Sequence, residues 1–134
     1  MSNLISQFLD CAGIKHSRTF ADSLFYEHPN RNNMLGVKQM LEVYGIKTIG
    51  IKYKDKRLAE FVFPCIFLLS GTFVVGKDLH QDHIFYFYEN KEIKKNIEDF
   101  YRIWTGYALL QGYVIIALTL YRSKRSKVYQ HFFC

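Results

Sequence analysis

Apolar positions recur at helical spacing through the first third of the chain and then shift to runs and alternations. Leu4, Ile5, Phe8 and Leu9 form an i, i+1, i+4, i+5 stripe over 3–9, and Gly13 is placed to end that helix. Ser17 or Thr19 caps a second helix running to about Glu27. His28-Pro29-Asn30 stops it, because the residue before proline is pushed out of the α region and proline supplies no amide. Asn32 or Asn33 then caps the clearest helix, whose Val37, Met40, Leu41 and Tyr44 share one face and whose left-handed C-cap falls to Gly45.

Beyond Gly45 the period changes. Residues 46–53 alternate β-branched and polar side chains and predict a strand. A solvated turn over 54–57 leads into a short helical piece through Phe61. The stretch PCIFLLSGTFVVGKDLHQDHIFYFY, 64–88, has apolar runs broken at Ser70-Gly71 and again over Asp78 to Asp82, and predicts a meander of three strands joined by two tight turns. Glu89 to Glu92 forms a hairpin turn before a short edge strand. Asn96 caps a helix over 97–104 that carries Ile97, Phe100, Tyr101 and Trp104 as its stripe and Glu98 and Asp99 in its first turn, where the helix dipole favours acids. A strand at 107–110 closes the sheet. Helices first and an antiparallel sheet after them is the α+β pattern, here one domain over 1–110.

The remaining 111–134 differ in character. Gly106 to Tyr121 is uncharged for sixteen residues and is followed by the basic run Arg122 to Lys127. That is short of the ~20 apolar residues that span a bilayer, and Gln111 interrupts it. It reads either as a closing strand followed by an apolar segment from Gly112, or as a marginal membrane helix anchored by the basic run. Membrane association through 112–127 is the expectation that separates the two.

Charge sharpens this division. The net charge of +6 includes four cations inside 122–127, so the body is nearly balanced and no nucleic-acid partner is expected for it. Cys11, Cys65 and Cys134 are odd in number and lack Cys-x-x-Cys spacing, which predicts a reducing compartment. The N-terminus has no basic n-region and too short an apolar run for a secretory signal, so the expected location is cytoplasmic or the cytoplasmic face of a membrane. There is no Gly-rich phosphate loop, paired-carboxylate site or His-x-x-x-His helix, and no cofactor is expected. His80 and His83 with Asp78 are metal-competent, but they fall on a hairpin turn and read as a solvated polar turn without a metal.

The order Asn33 to Gly45, Pro64-Cys-Ile66, Thr72-Phe-Val-Val75 and Trp104-Thr-Gly106 to Leu110 resembles the bacteriocin-processing cysteine peptidase domain, a papain-like family that commonly precedes an exporter and cleaves leader peptides after a double glycine. The similarity spans about 16–110. Glu27-His28-Pro29 and the Trp-x-Gly ending look closer to a branch fused to vitamin K epoxide reductase and thioredoxin-like modules. The chemistry of that family needs a cysteine at a helix N-terminus, a histidine to take the thiol proton and an aspartate to orient the histidine.

Taken position by position, the resemblance implies a degenerate site. Thr72 stands where the family has its histidine, and it cannot act as a base near neutral pH. The orienting aspartate falls on Tyr88, with Glu89 its neighbour. Asp10-Cys11 superficially matches the nucleophile, with Gln7 upstream, but Ala12 replaces the following glycine and Cys11 sits inside an apparent helix. Ser17 to Thr19 is the more plausible equivalent helix start. Phe85, Tyr86, Phe87 and Tyr88 put rings on both faces of one strand, and Phe85, Tyr86 and Phe87 with Trp104 are the candidate peptide-binding residues. The expectation is a papain-like α+β domain without catalytic activity that binds a peptide or docks on a transporter or redox partner. Two alternatives stand beside it: an active leader peptidase using Cys11 with His16 or His83, and a fragment of a redox fusion protein.

Overall fold

The computed structural model describes residues 3–54, 58 and 61–112, and the backbone of 130–133. Three helices come first: α1 (Leu4–Cys11), α2 (Arg18–Glu27) and α3 (Met34–Val43). Their ends follow from local chemistry. The Asn3 side chain accepts from the Ser6 amide at 2.9 Å to start α1, and Asn33 accepts from the Gly36 amide at 2.8 Å to start α3. Gly13, at φ +74°, and Gly45, at φ +79°, close α1 and α3 with matching pairs of bonds. In the first, Ile14 N–H donates to the Leu9 carbonyl and Gly13 N–H to that of Asp10; in the second, Ile46 and Gly45 donate to Leu41 and Glu42.

The sheet is built from β1 (Thr48–Tyr53), β2 (Cys65–Leu69), β3 (Thr72–His80), β4 (His83–Tyr88), β5 (Lys91–Asn96), β6 (Trp104–Gln111) and β7 (Gln130–Phe133), with α4 (Ile97–Ile103) between β5 and β6. The seven strands lie in the order β5-β4-β3-β2-β6-β1-β7, with every neighbouring pair antiparallel. Side chains alternate across it. On β2, Ile66 joins Ile5, Phe8, Leu9, Val37, Met40 and Leu41 of α1 and α3 on one face. Cys65, Phe67 and Leu69 turn to the other face and meet Phe100, Trp104 and Phe61. Phe67 is the centre of that second layer, with the rings of Phe100, Trp104 and Phe61 at 5.1, 5.2 and 5.7 Å.

Several boundaries differ from the pattern-based expectation. β3 runs through Asp78 to His80, so the turn to β4 is only Gln81-Asp82, with Gln81 in the left-handed region at φ +55°. Likewise β5 begins at Lys91 and the preceding turn is only Glu89-Asn90. Trp104 leaves the helix and opens β6 three residues before the expected strand. A shift of register between β2 and β6 accounts for this: the Thr105 hydroxyl donates to the Leu68 carbonyl at 2.7 Å, and Gly106, at φ +94°, sits where a Cβ would lie 2.8 Å from the Tyr53 carbonyl oxygen. Residues 130–133, expected in a tail, pair with β1 as an edge strand. The expected turn over 55–57, the apolar segment 113–121, the basic run 122–127 and Cys134 lie outside the described residues. Among the described residues no helix is long and apolar enough to cross a membrane.

Candidate functional site

Where the first turns of α1 pass over the start of β3 and the end of β4, the packing leaves a groove of about 330 Å³. Asn3, Leu4 and Gln7 of α1 form one wall, Phe25 of α2 closes an end, and Thr72, Phe73, Phe87, Tyr88 and Glu89 supply the sheet side. Two tight turns set the polar members. Ser70-Gly71, with Gly71 at φ +78°, reverses the chain so that Thr72 opens β3 opposite Leu69. Glu89 and Asn90, at φ +49° and +66°, both adopt the left-handed conformation that a two-residue hairpin of the primed type requires. A smaller hollow of about 130 Å³, lined by Gln7, Asp10, Cys11, Phe87 and Asn90, continues the groove along α1, since Gln7 and Phe87 belong to both.

The fold thus brings Thr72, Tyr88 and Glu89, separated by up to seventeen positions, into one cleft. It does not bring Cys11 to a helix start. Cys11 is the last residue of α1, at the end where the helix dipole opposes a thiolate. Burial pushes its thiol up, Asp10 and Glu92 add to this, and Lys77 works in the opposite sense. The helix start that opens into the cleft is capped by Asn3, not by Ser17, which caps α2 by accepting from the Phe20 amide at 3.2 Å. Pattern reading missed Asn3 as the cap of α1, for which an Asn directly before the Leu4 stripe was the available signal; that this cap faces the cleft had none. Asn3 is 4% exposed and its amide is engaged, donating to Asp22 at 2.8 Å while accepting from Ser6.

Among the aromatic candidates, Phe87 lines both hollows; Tyr88, the degenerate aspartate position, lines the larger one and is 43% exposed. Tyr86 and Trp104 are core instead, 4% and 1% exposed. The alternation of β4 sends Tyr86 with Ile84 toward Phe100, and the Trp104 indole donates to the Tyr107 carbonyl at 2.9 Å. Phe85 is half-buried and lines neither hollow.

The imidazoles lie elsewhere. His16 is 5% exposed at its side chain, with Nδ1 3.0 Å from the Ile14 carbonyl and Nε2 3.3 Å from the Ser6 hydroxyl. A carbonyl only accepts, so Nδ1 carries a proton. The ring borders a broader hollow of about 520 Å³ with Asp10, Lys15 and Arg18, away from Thr72 and Glu89. His83 begins β4 opposite His80, five residues from Tyr88 and so about 17 Å along the strand. Among the described residues no imidazole bonds to a cysteine sulfur, and no three His, Cys, Asp or Glu side chains are grouped as metal ligands would be.

Residues 22–112, more than half of the chain, match the peptidase C39 family. The chain belongs to that family. The C39 match takes in Thr72, Tyr88 and Glu89 and leaves Asn3 and Cys11 outside it. Among solved structures, a double glycine motif protease from an AMS/PCAT transporter, determined in complex with the leader peptide, is 30% identical with a TM-score of 0.54. That likeness covers 58% of this chain and 58% of that one, and it agrees with the papain-like α+β architecture of C39 domains. No curated protein matches the chain.

Proposed function

We propose that this C39 domain binds a peptide without cutting it. The observation that supports this most directly is the makeup of the cleft: Asn3 at the helix start, Thr72 at the head of β3 and Glu89 on the hairpin. None of the three is a thiol, and none is a base paired with one; the thiol of the adjoining hollow, Cys11, ends α1 with no imidazole bonded to its sulfur among the described residues. Leu4, Phe25, Phe73 and Phe87 offer the contact area that apolar peptide side chains need, and Thr72 and Asn3 sit where polar contacts would orient a backbone. The solved relative's own complex with a leader peptide supports a peptide as the ligand.

The test uses the full chain and a fluorescein-labelled double-glycine leader peptide. Saturable binding should appear with the peptide still intact by mass spectrometry after prolonged incubation, and Thr72→Trp should weaken binding at least ten-fold by filling the groove. Hydrolysis lost in Cys11→Ala would overturn the proposal in favour of an active peptidase. The proposed setting is the cytoplasmic face of a membrane, beside a transporter or a redox module. The apolar residues 112–121, the basic run 122–127 and the Glu27-His28-Pro29 and Trp104-x-Gly106 features support it. Carbonate-resistant membrane retention that disappears on removing 112–134 tests that setting.

A further inference from the structure

From the charges that line the groove we infer the chemistry of its ligand: a peptide carrying a lysine or arginine, whose cation is taken up by Glu89. The inference rests on the peptide-binding reading above and adds a selectivity to it.

The chain carries a net +6, yet among the described residues no Lys, Arg or His lines either hollow of the groove. The charged lining residues are Glu89 in the larger hollow and Asp10 in the smaller. Asp10 is partly compensated by an Arg18 nitrogen at 3.9 Å, a distance too long for a good hydrogen bond. Glu89 has no ion pair among the described residues. Thr72, on the same sheet side of the groove, offers no charge. Lys77 lies 5.8 Å from the centre of the Phe87 ring, but its ammonium is held by Glu92 at 2.9 Å. Electrostatic complementarity therefore favours a cationic side chain and disfavours an acidic one, against the sign of the molecule as a whole.

Two features favour a long cation over a free amine or metal ion. The lining beside Glu89 is aromatic, from Phe73, Phe87 and Tyr88, which suits the aliphatic stem of Lys or Arg. A single uncompensated carboxylate is too few ligands for a divalent cation. The backbone adds a separate indication. Glu89 occupies a left-handed position at φ +49°, where Gly, Asn or Asp is the ordinary occupant of such a hairpin, and it is among the groove-lining residues.

The experiment measures binding of the full chain to immobilised peptide pools that share an apolar frame and differ at one position by lysine, arginine, norleucine or glutamate. Lysine and arginine pools should bind about five-fold more tightly than norleucine, the advantage falling with added salt, and in Glu89→Gln the lysine and arginine pools should bind no more tightly than norleucine. Glu89→Lys should reverse the order in favour of glutamate. Glu89→Gly guards against a folding artefact: it relieves the left-handed position, so its melting temperature should hold or rise while the cation preference still disappears. Equal binding of all four pools to the wild type would overturn the selectivity and leave peptide binding standing. No binding of any pool, or of the leader peptide, would overturn both.

Discussion

A thiol becomes a nucleophile only where its surroundings favour the thiolate, and Cys11 has the opposite surroundings. It ends a helix, is half-buried, and has two carboxylates acting against ionisation. With the thiol pushed above its ordinary range, the thiolate fraction at neutral pH is smaller than that of a free cysteine and grows only as the solution becomes alkaline. Iodoacetamide at pH 7 should therefore modify Cys11 more slowly than a model thiol, with the rate climbing at a higher pH than the model's. Rapid labelling at pH 6 would contradict this. The same residue-level logic governs Thr72: restoring an imidazole with Thr72→His should give no peptide hydrolysis, because the neighbouring helix start holds Asn3 and not a thiol. Thr72 and Glu89 were legible through the resemblance to the peptidase family, whose histidine position falls on Thr72 and whose aspartate position falls beside Glu89 on Tyr88. Asn3 was not, since nothing in a linear pattern tells which of two adjacent helix starts a distant strand will face.

At the scale of elements, α1 forms the wall of the groove, and Asn3 both starts it and ties it to α2 through Asp22. Asn3→Ala should cost about 1 kcal/mol for the lost cap, and somewhat more for the unpaired Asp22 contact, read as a lower urea midpoint. Peptide affinity should fall with it, because the wall frays where the groove lies. On the sheet side, Gly76 faces Phe67 so closely that an added Cβ would stand 2.4 Å from the ring. Gly76→Ala should destabilise the chain by about 1–3 kcal/mol, the usual cost of overpacking a filled core, measured by the same denaturation. Periodicity identified each of these elements but not all their ends. Turns at Gln81 and Glu89 use left-handed residues other than glycine, so the usual punctuation is missing. The bulge at Gly106 moves Trp104 from helix stripe to strand, and with it from candidate contact to core.

The whole molecule separates two events onto opposite ends of one sheet. The groove lies on β3 and β4, whereas β7 adds its four residues to the far side of β1, pairing Lys52 with His131 and Ile51 with Phe132. From β4 to β7 is five strand steps, about 24 Å at the usual spacing. β1 remains paired with β6 whether or not β7 is present, so loss of the edge strand leaves the strands that carry the groove with all their neighbours. A proline at 131 removes an amide donor and suits no paired strand interior. His131→Pro should therefore speed amide hydrogen exchange in β1 while β2, β3 and β4 keep their protection. Peptide affinity should stay within about two-fold, because sites this far apart without shared partners act additively. A larger loss of binding would mean that the edge strand and the groove are coupled through the sheet, and that residues 130–133 belong to the binding unit and not merely to its edge.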